Sequence, residues 1–103
     1  MVHTTVPYKL MKSAAFDRWL AGLKALQARA RILAWLDRLA LGNPGDIRPV
    51  GSGVSEPRID HGPGYRVYLA QRSHVLLLLN GGDKRTQVTD IKRAIAIAKG
   101  WRE

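Results

Sequence analysis

A four-residue break, Gly42-Asn43-Pro44-Gly45, divides the sequence into two parts with different hydrophobic periods. Before the break, apolar residues recur at spacings of three and four, the period of an amphipathic helix. After it, apolar and polar residues alternate, as they do in a strand with one buried face. Glycine and proline end a helix because glycine accepts left-handed backbone angles and proline lacks an amide hydrogen. Helices followed by strands predict an α+β fold.

The first part predicts a short strand and a helical hairpin. Residues 6–11 read as an edge strand, and Ser13 is a candidate N-cap for the helix that follows. The apolar stripes are Phe16, Trp19, Leu20, Leu23 and Leu26 in the first helix, and Ile32, Trp35, Leu36 and Leu39 in the second. Each stripe needs an apolar surface to cover it, so we expect the two helices to pack on a common core.

The second part predicts a hairpin-connected sheet and a closing helix. The extended segments are 47–50, 54–60, 65–71 and 75–79, separated by glycine-rich or polar turns. Segment 75–79 is apolar on both faces, which we interpret as a central strand covered by helices on one side. Helical spacing returns at Val88, Ile91, Ile95 and Ala98, with Gly100 as the expected C-cap. The sequence therefore predicts a single domain, residues 1–103, with an N-terminal short strand and a two-helix hairpin packed on a mainly antiparallel sheet of about four strands, and a C-terminal helix.

The charge balance is unusual. Seventeen Lys and Arg face eight Asp and Glu, for a formal net charge of +9. Seven cations oppose two anions up to Gly45, and ten oppose six beyond it, so both halves are basic. The excess charge therefore belongs to the folded body and favours a polyanion or an acidic protein as partner.

Cysteine content and hydropathy narrow the class of protein. The absence of cysteine excludes a disulfide scaffold, a Cys-ligated zinc site and a thiol nucleophile. No purely apolar run is longer than that of Val75–Leu79, which is far short of the ~20 residues that span a bilayer. The N-terminus has no apolar segment typical of a signal peptide. We therefore expect a soluble, cytoplasmic protein with no membrane partner.

Several strings in order resemble a known family. They are FDRWLAGL, ARARILAWLDRLALGNPGDIRPVG, GVSEPRI, GPGYRVYL and LLLLNGGDKRTQ. Over about residues 14–99 the chain resembles the RelE/ParE superfamily, and within it the short HigB-like addiction-module killer proteins. The resemblance implies two helices on one face of a RelE-like sheet and cations on the open face. It also implies the toxin of a type II toxin–antitoxin pair, a ribosome-dependent endoribonuclease that cuts mRNA by 2′-OH attack and inhibits translation, without a metal or other cofactor.

The resemblance assigns candidate catalytic residues. Arg66 matches the arginine of the GYR strand motif, and Lys84 matches the lysine of GGDK. Arg58 is expected beside Arg66 on a neighbouring antiparallel strand, where RNA contact and a surface ion pair to Glu56 or Asp60 are equal alternatives. Cations at these positions suit the charge that develops on a phosphorane. Three scattered histidines make no metal site.

Four further residues are candidate RNA contacts, each with a simpler structural alternative. Arg48 and Arg85 are cations on an extended segment and in a turn, where each is equally compatible with a solvated surface. Tyr68 can stack on a base or be a half-buried strand residue, and His61 can be an acid–base group or an ordinary turn residue.

Two departures from the family pattern qualify the nuclease prediction. Pro57 interrupts a predicted strand, which places that strand at an edge or bulge. The start of the last helix also lacks the tyrosine or histidine that some RNA-cleaving relatives use. A ParE-like, non-enzymatic inhibitor of DNA gyrase and an inactive toxin relic that only binds its antitoxin therefore remain alternatives.

The family also implies partners. The expected partner is a small cognate antitoxin, typically a helix-turn-helix DNA-binding protein. Operator DNA is then reached only through the antitoxin, and mRNA is met on the ribosome.

Overall fold

The computed structural model describes residues 8–59 and 62–101. The elements in chain order are β1 (Lys9–Lys12), α1 (Ala14–Ala21), α2 (Leu26–Ala40), β2 (Ile47–Gly51), β3 (Val54–Ile59), β4 (Tyr65–Arg72), β5 (Val75–Gly82), a 3-10 turn (Lys84–Thr86) and α3 (Gln87–Gly100). This order confirms the predicted α+β class, with two helices between β1 and the other four strands and one helix after them.

The five strands form one sheet in the order β1-β5-β4-β3-β2. Strands β2 to β5 are antiparallel neighbours joined by short turns. Strand β1 lies at the edge, as predicted, and pairs with β5 in parallel. A parallel pair needs a long crossover connection, which the chain between β1 and β5 supplies. The four extended segments predicted after the helices therefore form the antiparallel part of the sheet, and the N-terminal strand adds a fifth, parallel strand.

Ser13 joins the first strand to the first helix and acts as the predicted N-cap. Its hydroxyl accepts the backbone N–H of Phe16 at 2.9 Å and donates to the carbonyl of Leu79 in β5. Helix α1 ends at Ala21, earlier than the apolar stripe suggested, and Leu26 opens α2 instead. The predicted inward position of Leu26 is wrong, because 76% of the residue is exposed.

The sheet is covered on both faces. Residues of α1 and α2, including Phe16 and Ile32, pack with Leu76 and Leu78 on one face. Helix α3 packs on the opposite face against Leu77 and other strand residues. The prediction of helices on only one side of the sheet is therefore wrong. The predicted open cationic face is also wrong over the middle of the sheet, where α3 covers it. The apolar character of β5 on both faces is the physical reason, since each face needs its own cover.

Helix α3 docks through small residues. Ala94 and Ala98 are buried, whereas Val88, which was expected in the apolar stripe, is 70% exposed. The helix continues through Gly100, and its C-cap is Trp101, one residue later than predicted. Arg72 of β4 donates to the carbonyls of Ala98 at 2.7 Å and Trp101 at 3.2 Å. These bonds satisfy backbone acceptors that a helix end leaves unpaired, so they anchor α3 to the sheet.

The Gly81-Gly82 pair at the end of β5 allows close approach from both faces. A Cβ at Gly81 would overlap the ring of Trp19, and a Cβ at Gly82 would overlap the carboxylate of Asp90. The hydroxyl of Thr86 donates to the same carboxylate. The two glycines therefore bring α1 and the start of α3 against this end of the sheet.

Strand β3 is an interior strand despite Pro57. It lies between β2 and β4, so of the two positions predicted for Pro57, an edge or a bulge, the edge is wrong. The β3–β4 register skips Glu56 and Pro57, because proline has no amide hydrogen to donate. Pairing resumes at Arg58 with Arg66, so Arg58 keeps its place in the ladder. Within residues 8–59 and 62–101, no helix is long and apolar enough to cross a membrane.

Candidate functional site: a paired-arginine surface at the end of the sheet

Arg58 of β3 and Arg66 of β4 are direct partners in the antiparallel register. Directly opposed residues lie on the same face of a sheet, so the expected proximity of these two cations is confirmed. Arg66 is nearly buried, with 10% of its side chain exposed, while Arg58 is 33% exposed. Nη1 of Arg66 donates to the carbonyl of Gly64 at 2.8 Å, which holds the guanidinium beside the turn.

A fully buried carboxylate lies between the two arginines. Oε1 of Glu56 is 3.6 Å from Nε of Arg58, and Oε2 is 3.8 Å from Nε of Arg66. Gln87, at the start of α3, donates to Oε2 at 2.8 Å. Like charges directly opposite on two strands repel, and an ionised carboxylate between them offsets that repulsion. Glu56 therefore positions both guanidinium groups.

The sequence reasoning considered Glu56 only as an ion-pair alternative for Arg58 and did not anticipate its burial. The ion pair is present, and it extends to Arg66 as well. A signal was available in the alternation of β3, which places Glu56 and Arg58 on the same face. The contribution of Gln87 had no such local signal, because Gln87 is 31 residues away in the sequence.

Tyr68 is fully buried beneath α3. Burial, and next the charge of Glu56, raise the pKa of the Tyr68 phenol well above its usual range, so the hydroxyl stays protonated. The predicted stacking of Tyr68 on a base is incompatible with this position, since the ring has no exposed face. Tyr68 is therefore a structural strand residue, as in the alternative to base stacking, but it is fully buried and not half-buried.

The 3-10 turn after β5 presents Lys84 and Arg85. Both are exposed, and Arg85 forms an ion pair with Asp83 at 3.1 Å. The Asp83 carboxylate also accepts the backbone N–H of Arg85 at 2.8 Å and caps the turn. The guanidinium and backbone donors of Arg85 lower the pKa of Asp83. Gly82, just before the turn, is the register partner of Arg66, so Lys84 lies near the same end of the sheet.

Arg48 lies further from this group. It is exposed on the edge strand β2 and is the register partner of Glu56, so it shares the face that carries the arginines. His61 lies outside the described residues. The structure thus brings Arg58 and Arg66 together, places Lys84 and Arg85 on the adjacent turn, and leaves Arg48 on the rim.

Arg58 and Arg66 line an open depression of about 330 Å³. Asp46, which the sequence reasoning did not select, lines the same depression and is exposed. Its carbonyl accepts the backbone N–H of Arg58 at 3.1 Å, which ties the start of β2 to the end of β3. The only signal in the sequence was its place directly after the glycine-proline break. Tyr65 packs against the α1–α2 core and also lines this depression.

The site contains cations, a buried carboxylate and an exposed carboxylate. Such a group can bind a phosphodiester and stabilise additional negative charge on it. In the part of the chain that the structure describes, no group of three or more His, Cys, Asp or Glu side chains is placed to hold a metal ion.

The architecture has a solved counterpart. A chain in the crystal structure of the toxin–antitoxin complex RelBE2 from Mycobacterium tuberculosis superposes with a TM-score of 0.53. It covers 77% of this chain and 100% of its own length, at 21% sequence identity. The fold is therefore the RelE-like toxin fold.

A closer relative comes from sequence. The chain is 50% identical over 92 residues to an uncharacterized protein of Haemophilus influenzae, covering 88% of this chain and 93% of that protein. The chain belongs to the same family as this Haemophilus protein. No family model matches the sequence.

Proposed function

We propose that this protein is the toxin of a type II toxin–antitoxin pair and cleaves messenger RNA on the ribosome. The observation that carries the proposal is the Arg58–Arg66 pair, held by Glu56 at a depression that Asp46 also lines. The RelE-like fold supports it, as does the net charge of +9, which favours a polyanionic target.

The arrangement suits cleavage by the ribose 2′-OH. In this reaction the 2′ oxygen attacks the adjacent phosphorus, and the bond to the 5′ oxygen breaks, leaving a 2′,3′-cyclic phosphate. Arg66 and Arg58 bind the non-bridging oxygens and stabilise the phosphorane charge. Asp46 accepts the proton of the 2′-OH, because among the described residues it is the exposed carboxylate beside the two arginines. The leaving 5′ oxygen takes a proton from solvent.

The remaining cations act at the edges of this reaction centre. Lys84 adds positive charge beside the register partner of Arg66, and Arg85 and Arg48 contact the backbone of the RNA on either side. No metal or organic cofactor takes part in the proposed chemistry. The proposed partner is a small antitoxin that binds operator DNA, and the solved structure that shares this fold is a toxin–antitoxin complex.

A second candidate function is the non-enzymatic inhibition of DNA gyrase. The burial of Tyr68 favours it, because the cationic site loses an aromatic group that could orient a base. Among the described residues that line the depression, Asp46 is the one carboxylate, so the proposed proton transfer relies on it alone.

Primer-extension mapping in a purified translation system tests the proposal. Wild-type protein is expected to cut the translated message, while Arg66→Ala and Asp46→Asn cut at least ~100-fold more slowly, the usual loss for a group acting on the transition state. Arg93→Ala, which removes an exposed cation on α3, is the matched control and should cut normally. An intact message together with inhibited DNA supercoiling would favour the gyrase alternative.

A further inference from the structure

A second cationic cleft adjoins the proposed site. It has a volume of about 420 Å³ and is lined by three arginines, Arg31 and Arg38 of α2 and Arg58 of β3. Among the residues that the structure describes, no carboxylate lines it. Arg58 lines both this cleft and the depression that holds Arg66 and Asp46, so the two form one continuous surface.

The two helical arginines of the cleft are free to bind an anion. Arg31 and Arg38 are exposed, and neither guanidinium has a hydrogen bond or ion pair within the described residues. Arg29 on the same helix differs, since its guanidinium donates to the carbonyls of Ala21 and Leu23. The spacing of seven residues places Arg31 and Arg38 on one side of α2, about 10 Å apart along the axis.

The opposite wall of the cleft is fixed by a tryptophan. Nε1 of Trp35 donates to the carbonyl of Pro44 at 3.0 Å, which holds the loop after α2 against the helix. Trp35 itself is 4% exposed, so its ring is not available for stacking on a base. The cleft therefore offers guanidinium groups on a rigid wall, which suits a phosphate backbone and does not read base identity.

We infer that this cleft is a second phosphate-binding subsite, which takes the single-stranded RNA flanking the phosphate bound by Arg58 and Arg66. The inference rests on the proposed function. The cleft opens from the reaction centre through Arg58, so a strand bound there continues into it. Each arginine is spaced to engage a separate phosphate. RNA is favoured over an acidic protein segment because the neighbouring Arg58–Arg66 site is itself suited to binding a phosphodiester.

Fluorescence anisotropy with an uncleavable 2′-O-methyl RNA of about 12 nucleotides, a length that single-strand sites commonly cover, tests the inference. The paired variant Arg31→Ala/Arg38→Ala is compared with Lys92→Ala/Arg93→Ala, which removes two exposed cations from α3. The cleft variant should weaken binding at least ~10-fold and lower the salt dependence of log K by about 1.4, two contacts at about 0.7 each for a single strand. Its affinity for a dinucleotide should not change.

Several results would overturn the subsite. If the cleft variant and the α3 variant lose equal amounts of RNA affinity, the loss is explained by net charge alone. If the salt dependence of log K is unchanged in the cleft variant, Arg31 and Arg38 do not contact phosphates. If a polyglutamate peptide binds through Arg31 and Arg38 while RNA binding is unaffected, the cleft is a protein-docking surface instead. Message cleavage by the cleft variant at the wild-type rate, with cleavage lost in Arg66→Ala, would reject the subsite and leave the proposed function intact.

Discussion

Arg58 and Arg66 face each other across β3 and β4, with the carboxylate of Glu56 3.6 Å from one Nε and 3.8 Å from the other. Two guanidinium groups at opposed positions repel, and one of them is nearly buried. The negative charge of the buried Glu56 carboxylate offsets this repulsion. The surface that we propose to bind phosphate therefore depends on a fully buried acidic residue.

We predict that Glu56→Gln destabilises the fold and weakens the proposed cleavage. The amide has the shape of the carboxylate but not its charge, so Arg58 and Arg66 are left with unbalanced repulsion. Removing one member of a buried ion pair costs about 3 kcal/mol. Urea denaturation measures the loss, and primer-extension mapping measures the activity.

The control for Glu56→Gln is Asp37→Asn on the exposed face of α2, which has no ion pair in the described structure. Its unfolding midpoint should match that of the wild type. A Glu56→Gln protein as stable as Asp37→Asn would show that Glu56 does not hold the arginines.

The buried phenol of Tyr68 predicts a loss of stability in alkali. Its pKa is raised in the folded state, first by burial and then by Glu56, while the unfolded chain titrates near the usual value of about 10. The folded form thus retains a proton that the unfolded form releases. Its stabilising contribution is complete below about pH 10 and declines as the pH rises above it. Between about pH 8 and about pH 10.5, the urea midpoint should fall less for Tyr68→Phe than for the wild type. Equal falls in the two proteins would show that the Tyr68 phenol is not the cause.

Substitution by alanine is predicted to have opposite outcomes at Gly82 and at Gly100. Gly82→Ala forces a methyl group into Asp90 and to 2.7 Å from Oγ1 of Thr86, an overpacking that typically costs about 1–3 kcal/mol. Gly100→Ala meets open space at the end of α3 and should be neutral or stabilising by at most about 1 kcal/mol. Thermal denaturation of both variants measures the difference. If Gly82→Ala and Gly100→Ala have the same melting temperature, the start of α3 does not lie where the structure places it.

The capping carboxylate of Asp83 predicts a loss of folding stability in acid that depends on its negative charge. Arg85 lowers the pKa of Asp83, so the stabilisation is present above the usual carboxyl pKa of about 3.9 and is lost as the pH falls through the lowered value. Asparagine keeps the capping geometry without the charge. Between about pH 5 and about pH 2, Asp83→Asn should therefore lose less stability than the wild type. Circular dichroism melts at the two pH values check this, and Asp37→Asn serves as the control for removing an exposed carboxylate.

Local chemistry explains the parts of the fold that the sequence predicts well. Ser13 caps α1 because a short hydroxyl side chain suits that position, and the alternation of β4 assigns Val67 and Tyr68 to opposite faces. Arg66 was found by motif, and its proximity to Arg58 followed from antiparallel pairing. Each of these inferences needs only neighbouring residues or one hairpin.

The parts that the sequence did not predict depend on contacts between distant segments. Tyr68 is buried because α3 crosses it, and α3 docks through Ala94 and Ala98, whose small side chains give a weak apolar signal. Glu56 is buried because its carboxylate meets Gln87 as well as the arginines. No local pattern distinguishes such a carboxylate from a solvated one, since burial is decided by the partner.

The link between Ser13 and Leu79 has a consequence for how the protein is made. The Ser13 hydroxyl reaches a carbonyl 66 residues later in the chain, and β1 pairs with β5 over the same separation. Contacts of such long range form slowly and only after both segments have been synthesised. During translation, α1 therefore has no anchoring strand, and Glu56 has no Gln87, until β5 and the start of α3 leave the exit tunnel. The proposed nuclease thus has an incomplete active site for most of the time that it is attached to the ribosome that produces it.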